Sequence, residues 1–544
     1  MARGVNSDSS RLEQFIDSYL AAPRGRRARG KDPLARLRMD AQAHAAERAT
    51  AQLAELRGID TVPLSVPQRI DWLLLQSTLE RTVYDTVMHV AERTPGQYLT
   101  LGNIYFRVLG ERPPTPADWV AVRNDLTLAP RAMALGRVQL HAPPPLWVKL
   151  AVNSASSYTR FLRGDFVQRV QTSAPDSLRA SLLDASGRAA TALDAYTAFL
   201  RDTLHAGPDT SWASGRVYYD WVLKNVHFLP YTAESMIAQG RRIHAVTKLA
   251  LDSVAQTIRP GTPWRTLTDE MRDRHPEPGK IIAAYETASH HVQAFLIHDN
   301  LVYLPPNQEL IFVPTPPELR ETYAWGGFGG ITSRDGVNVG RFFVTDVVPG
   351  MTPEAVRQKL RVQNNGWIEV IALHEGYPGH HLQESYTLRN PRKLRHEMDN
   401  TYAAEGWALY AEHWMARRGL FKDSKDGRLA QLQMRLWRTA RVIIDPSIHT
   451  GAMTYDQAVD FFVNEVGLER SAAEAEVNRF TTWPTQAPSY IVGWLEIERM
   501  KGELQRELGP RFDEKQFVER VLDQGALPLA LLRRAVRNDY GLSN

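Results

Sequence analysis

Apolar residues three and four positions apart recur along most of the chain and predict a mostly helical protein. Proline-rich breaks at 113–116, 143–145 and 305–317 separate the helical blocks. The clearest segments with this spacing are RLEQFIDSYLAA, RIDWLLLQSTLERTVYDTVMHVAERT, LLDASGRAATALDAYTAFLRDTL and AESMIAQGRRIHAVTKLALDSVAQTI.

The pattern changes between about residues 298 and 348. NLVYLPPNQELIFVPTPP and GRFFVTDVVPG have the composition and turn residues of short strands. They predict one small β-sheet, and the pattern becomes helical again from Ile368. A short strand beside a catalytic helix commonly pairs with an extended substrate, so we expect a strand edge of that kind here.

Composition narrows the chemistry. The chain has 544 residues, 43% of them hydrophobic, and no cysteine, so thiol catalysis, disulfides and cysteine-bound zinc are excluded. Without a signal-peptide pattern or a long apolar run, we expect a cytoplasmic protein with no membrane partner.

The one dense run of charge is RGRRARGK, Arg24 to Lys31. It has no interleaved aromatic residues, so it is interpreted as a solvated arm and no nucleic-acid partner is expected. The predicted organisation is an N-terminal helix and basic arm over 1–40, followed by one catalytic unit over 41–544.

The segment IALHEGYPGHHLQ, Ile371 to Gln383, holds three of the 16 histidines. His374 and His380 would be about 9 Å apart in rise along an unbroken helix, whereas both nitrogens must lie about 2.0–2.1 Å from a shared zinc ion. Pro378 lacks the N–H that would bond to the carbonyl of His374, and its neighbouring glycines permit a local bulge. The interrupted helix is predicted to turn His380 to the metal, with His381 left open as the alternative.

The rest of a zinc site can be placed from the same spacing argument. Glu405 lies on the following predicted helix, where glutamate-type zinc hydrolases carry their third ligand. Glu375 follows the first histidine and is predicted to be the general base. Glu412, seven residues after Glu405, competes with it for the ligand position.

These motifs resemble those of the DUF885 family. HEGYPGHHLQ, AAEGWALYAEH, RVIIDPSIHTGAMTYDQAVDFF, AEVNRFTTWPTQAPSYIVGWLEI and FDEKQFVERVLDQGALPLALL occur in the order of that family, from about Arg69 to Leu532. The resemblance favours Glu405 over Glu412, since Glu405 opens the family's EGWALY.

Family members look like distant relatives of the carboxypeptidase Taq, neurolysin and angiotensin-converting-enzyme class of zincins. The resemblance therefore implies a large, two-lobed, clam-shaped helical fold around a deep channel, with the small sheet before the zinc helix. It also implies one Zn²⁺ per chain, held by His374, His380 and Glu405, with Glu375 as base.

Further site residues are assigned more broadly. Tyr490 and His449 are the candidates for stabilising a developing oxyanion. Arg441 and Arg479 are candidates for binding a substrate carboxylate, with ion pairing to Asp445 or Glu476 as the structural alternative.

The last two features to interpret are His381 and a glycine-rich segment. His381 is interpreted as a residue behind the metal ligands or in contact with substrate. AWGGFGG, Ala324 to Gly330, is interpreted as a mobile loop over the channel.

The function expected from these residues is a zinc-dependent hydrolase that cleaves peptide or amide bonds in small substrates. A metal-dependent amide hydrolase of specialised metabolism needs the same residues and stays an open alternative. A non-catalytic binding protein on the same scaffold is the second alternative. The sequence leaves open the substrate, endo- or exo-cleavage and the oligomeric state.

Overall fold

The computed structural model describes residues 5–21, 34–108, 114–315, 325–334, 336–348 and 350–543. The chain forms two compact units. The described residues of the first fall within Met1–Pro63 and Leu75–Trp212, and those of the second within Leu64–Leu74, Ala213–Thr315 and Thr322–Asn544. The predicted basic arm at Arg24 to Lys31 lies outside the described residues, so the predicted division near residue 40 stays a prediction.

Most of the described chain is α-helical, which confirms the predicted fold class at this level. The helices up to residue 202 are α1 Val5–Ala21, α2 Met39–Arg57, α3 Val66–Tyr84, α4 Val90–Arg93, α5 Gly102–Val108, α6 Pro116–Gln139, α7 Pro145–Arg163, α8 Asp165–Ser173 and α9 Asp176–Asp202. The later helices are α10 Gly215–Asn225, α11 Ala233–Ile258, α12 Trp264–Arg272, α13 Ile281–His298, α14 Pro353–Val362, α15 Asn365–Glu375, α16 His380–Thr387, α17 Thr401–Arg418, α18 Lys425–His449, α19 Tyr455–Phe461, α20 Arg470–Thr482, α21 Ser489–Leu508, α22 Glu514–Asp523 and α23 Leu529–Asp539.

The first unit is built around a buried core of α5 to α9. Trp119 and Tyr196 are fully buried there, and the Tyr196 hydroxyl donates to the Pro95 carbonyl at 3.0 Å. The capping box of α6, in which Thr115 accepts from the Asp118 amide, fixes where this longer helix begins.

Three helices of the second unit have well-defined starts that matter for the site. The side chains of Asn364, Asn400 and Ser424 accept backbone N–H groups at the beginnings of α15, α17 and α18. Each cap satisfies a donor that the helix itself leaves free. Because the first residue of each helix is fixed in this way, the residues that follow within the next turns point in defined directions.

The predicted small sheet is present in the second unit. Its strands are β1 Gln308–Pro314, β2 Gly326–Arg334 and β3 Val337–Val344, in the order β1-β3-β2. β3 pairs with β1 in parallel and with β2 antiparallel, and a register shift lies between Phe328 and Ile331. β2 is therefore an edge strand with a bulge.

The segment AWGGFGG differs from its prediction. From Gly326 onward it belongs to β2 and not to a loop. Glycine density suggested a loop, whereas glycines are also common at bulges and where another chain segment approaches a strand closely. Among the described residues, no helix has an apolar stretch long enough to cross a membrane.

Candidate metal centre and its cavity

A cavity of about 700 Å³ lies within the second unit. Residues of β2 and of α15, α16, α17, α18, α20 and α21 line it. It has the size of a small-molecule site, and seven of the ten predicted or competing site residues line it. Those that line it are His374, Glu375, His380, Glu405, Arg441, Arg479 and Tyr490.

The predicted interruption of the histidine helix is confirmed. α15 ends at Glu375 and α16 begins at His380, with Gly376–Gly379 as the connection. A Cβ atom at Gly379 would lie 1.8 Å from the carbonyl oxygen of His374, so only glycine permits this close return of the chain. The Trp407 indole N–H donates to the Pro378 carbonyl at 2.9 Å and holds the connection in place.

The interruption brings both histidines to one carboxylate. Glu405 Oε2 lies 3.4 Å from His374 Nε2 and 3.3 Å from His380 Nε2. Ligand atoms about 2.0–2.1 Å from a tetrahedral zinc ion are separated by roughly 3.4 Å. Glu405 Oε2 is also buried without a well-formed hydrogen bond in the described structure. The donor set therefore fits a zinc ion.

Glu412 occupies the other side of the first histidine. Its Oε1 lies 2.8 Å from His374 Nδ1, and Arg438 Nη2 lies 3.2 Å from the same oxygen. Glu412 is fully buried. A carboxylate on the second ring nitrogen orients a metal-binding histidine and fixes its tautomer, so Glu412 has the geometry of an orienting residue and not of a ligand.

The charges in the cluster are tightly coupled. Burial opposes ionisation of His374, but the Glu405 and Glu412 carboxylates that face its two ring nitrogens raise its pKa to about 9. Burial likewise opposes ionisation of Glu405, and the two histidines nevertheless hold the pKa of its carboxyl well below its usual range. The buried carboxylate thus favours a positive charge beside it, which protonated histidine supplies in the absence of a metal. A bound cation would take the place of these protons.

Glu375 stands beside this cluster. Ligand atoms of His374, Glu375 and His380 lie within 4.8 Å of one another. Glu375 Oε2 accepts the backbone N–H of Phe328 at 2.8 Å, so Oε1 is the oxygen not engaged by that bond. Two carboxylates are therefore near the histidine pair, and the shared oxygen of Glu405 distinguishes it as the better ligand.

The edge of β2 is partly used by carboxylates. Besides Phe328, Ile331 donates its N–H to Glu384 Oε1 at 3.1 Å. Each of these bonds occupies an amide that an added strand would otherwise pair with. The expected pairing with an extended substrate stays a prediction for the other positions of β2.

Tyr490 packs against the ring of His374. The two rings are stacked with centroids 6.0 Å apart, and burial raises the pKa of the phenol to about 12. The hydroxyl therefore stays protonated at neutral pH and can donate a hydrogen bond.

Close helix packing sets the separation between Glu405 and Tyr490. A Cβ at Gly406 would lie 2.4 Å from the Cα of Gly493, so α17 and α21 approach at a point without side chains. Glu405 precedes one glycine and Tyr490 lies one turn before the other. The pair of glycines brings both residues to the same cavity.

Arg441 and Arg479 both reach the cavity and also form ion pairs. Arg441 Nη2 lies 2.9 Å from Glu476 Oε2, and Arg479 Nη2 lies 3.4 Å from Glu476 Oε1. Glu476, rather than Asp445, is thus the partner of both. Their predicted contact with a substrate carboxylate stays a prediction.

His449, predicted to stabilise an oxyanion, is placed elsewhere. It is 1% exposed, Ser214 donates its backbone N–H to Nδ1 at 3.2 Å, and Nε2 donates to the Phe480 carbonyl at 3.0 Å. Both ring nitrogens bond to backbone groups, and His449 is not among the residues that line the cavity. None of these contacts supports its predicted role as an oxyanion donor, which stays a prediction.

His381 bonds elsewhere than to the predicted metal ligands. It is fully buried, its Nε2 bonds to Gln308 Oε1, and its ring packs edge-on against Tyr377 with centroids 5.0 Å apart. Burial lowers the pKa of His381 to about 4. Its predicted contact with substrate is not supported, and its place is between α16 and the sheet.

Sequence reasoning missed several charged residues that line the cavity, among them Arg438, Glu384 and Asp399. Arg438 lies three positions before Arg441 on α18, and Glu384 lies four positions after His380 on α16. Helical spacing alone places each on the face of a candidate that was recognised. Asp399, just before α17, has no comparable signal in the sequence.

Comparison with known proteins agrees with the motifs. The chain matches the family described as "Bacterial protein of unknown function (DUF885)" over residues 20–536. The chain belongs to the DUF885 family. No curated protein matches this DUF885 protein.

Two solved structures share the fold of this DUF885 protein. One is "a putative lipoprotein of unknown function" from Shewanella oneidensis, 20% identical, with a TM-score of 0.74 and 97% of this chain and 98% of that chain covered. The other is "the putative lipoprotein" from Colwellia psychrerythraea, 18% identical, with a TM-score of 0.75 and 92% of each chain covered.

These relatives contradict the expected cytoplasmic location, because lipoproteins are membrane-anchored or secreted proteins. The expectation was drawn from the composition of an N-terminal segment.

Proposed function

We propose that this DUF885 protein is a zinc-dependent hydrolase that cleaves peptide or amide bonds in small substrates. The observation that carries the proposal is the single oxygen of Glu405, 3.4 Å and 3.3 Å from the Nε2 atoms of His374 and His380. The sequence resemblance to the clam-shaped zincins of the neurolysin class supports the same proposal.

In this proposal His374, His380 and Glu405 would hold one zinc ion, which when bound would supply Lewis acidity towards a carbonyl and a water molecule. Glu412 keeps His374 in the tautomer that presents Nε2. Glu375 accepts a proton at Oε1, since Oε2 is engaged by the Phe328 amide. Tyr490 donates its hydroxyl hydrogen to the substrate oxygen on which negative charge develops.

The test combines metal content with turnover. Elemental analysis should find about one zinc per chain, and a peptide library read by mass spectrometry should show cleavage. Glu375→Gln removes the proton acceptor but no ligand, so it should keep zinc while turnover falls by roughly two to four orders of magnitude.

Three results would count against the proposal. Protein without a transition metal that is fully active in a strong chelator contradicts the metal centre. Wild-type turnover in Glu375→Gln contradicts the mechanism. Loss of zinc from Glu375→Gln would show instead that Glu375 is a ligand.

A further inference from the structure

Three arginines form one wall of the cavity: Arg438 and Arg441 on α18 and Arg479 on α20, called here the arginine wall. Among the described residues, these arginines form ion pairs with two carboxylates, Glu412 and Glu476. Glu412 is at the same time bonded to His374. The arginine wall and its partners therefore carry an excess of one positive charge.

Several N–H groups of the arginine wall are unused. Nε and Nη1 of Arg438 and of Arg441 are buried and have no hydrogen-bond partner among the described residues. The two side chains are 5% and 4% exposed. Buried donors are nearly always bonded to protein, water or a ligand, and an unsatisfied donor of a charged group is costly. These donors are the groups of the wall that an anionic ligand would satisfy.

The orientation of Arg441 is fixed before any ligand binds. Its guanidinium carbon lies 4.3 Å from the centre of the Trp437 ring and 4.6 Å from that of Tyr490. A guanidinium held over aromatic faces loses little freedom when it binds, and its planar fork matches a carboxylate.

The arginine wall is close to the proposed reaction centre. Tyr490 contacts Arg441, at 4.6 Å from its guanidinium carbon, and also stacks on His374 with ring centroids 6.0 Å apart. The two contacts place Arg441 at most roughly 11 Å from the His374 ring, a distance that about three extended residues span. An anionic group on the wall would be within three residues of the bond cleaved.

We propose that the arginine wall binds a carboxylate of the substrate, so that the substrates are short peptides or amides with a carboxylate within three residues of the cleaved bond. This inference rests on the proposed function and adds the substrate class to it. An excess of one positive charge matches a monoanion better than a dianion such as a phosphate monoester. The carboxylate comes from a chain terminus or from an acidic side chain.

Calorimetric binding to Glu375→Gln protein, in which turnover should be roughly two to four orders of magnitude slower, tests the proposal. The probes are the tetrapeptide Ala-Ala-Ala-Phe as free acid, the same peptide as C-terminal amide, and Ala-Ala-Ala-Glu as C-terminal amide. We expect the free acid to bind about tenfold or more tightly than the phenylalanine amide. Tight binding of the glutamate amide assigns the carboxylate to a side chain, and weak binding assigns it to the terminus.

Substitution in the wall should remove this preference. Arg441→Gln is expected to bind acid and amide equally, and Arg441→Lys to keep part of the preference, because it retains charge without the fork. Arg479→Gln, at a side chain 32% exposed, gives the same comparison if Arg441→Gln does not fold. Arg357→Gln is the matched control, since Arg357 pairs with Glu354 on the exposed side of α14.

Equal binding of all three peptides, no binding of any, or a preference retained in both glutamine variants would overturn the proposal. The outcome is separable from the proposed function. A carboxylate preference without cleavage by the unmodified protein would leave this inference standing and remove the hydrolase.

Discussion

Two buried histidine–carboxylate clusters lie in the second unit, and they differ in how their polar atoms are satisfied. In the cavity cluster, Nε2 of His374 and of His380 both approach one oxygen of Glu405. In the core cluster, both nitrogens of His449 bond to backbone groups. Asp445 there accepts the Tyr219 hydroxyl at 2.5 Å and the Thr485 amide at 3.1 Å.

The comparison teaches that burial and residue type do not separate a reactive cluster from a structural one. His449 and His374 are both almost fully buried beside carboxylates. Burial lowers the pKa of His449 to about 4, whereas two carboxylates raise that of His374 to about 9. A histidine whose two ring nitrogens both bond to the backbone has no nitrogen left to bind a metal. A histidine with one nitrogen next to a shared carboxylate can bind one.

The largest expected effect is the loss of metal from the cavity cluster. His380→Ala removes a ligand, so zinc measured by elemental analysis should fall from about one per chain to near zero. His381→Ala is the matched control from the adjacent position and should retain most of the zinc, because His381 bonds to Gln308. Zinc lost from the His381 variant and kept in the His380 variant would reverse the assignment.

Tyr490→Phe tests the proposed oxyanion donor. Of the two candidates for that role, Tyr490 lines the cavity and His449 does not. The variant should keep zinc, and kcat should fall by roughly a hundred- to a thousandfold with little change in KM, since the hydroxyl acts on charge that develops in the transition state. A loss seen only in KM would make Tyr490 a binding residue.

Much of the site could be predicted because it depends on local rules. The interruption at Gly376–Gly379 followed from the chemistry of proline and glycine. The choice of His380 over His381 followed from that interruption. The sheet before the motif followed from strand composition, although the glycine-rich part of β2 was interpreted as a loop.

The rest depends on helix packing, which periodicity does not encode. Glu412 contacts His374, 38 residues away in sequence, because α17 packs against α15. Neither segment by itself indicates which face of one helix meets the other. His449 was assigned to catalysis because of its position downstream of the motif. Its actual partners, Ser214 and Phe480, come from distant segments.

The smallest expected effect concerns the core cluster and its stability against pH. Burial raises the pKa of Asp445 to about 7 in the folded protein, from 3.8. The folded state therefore holds a proton that the unfolded state has released, and stability falls as pH rises towards 7. Asp445→Asn cannot ionise, so from pH 5 to pH 8 it should gain roughly 2 to 3 kcal/mol in unfolding free energy relative to wild type. Urea unfolding at the two pH values measures the difference, and a chelator should not change it because the core cluster holds no proposed ligand. Parallel pH profiles for the two proteins would mean that Asp445 is already ionised, and the core cluster would then be as charged as the cavity cluster.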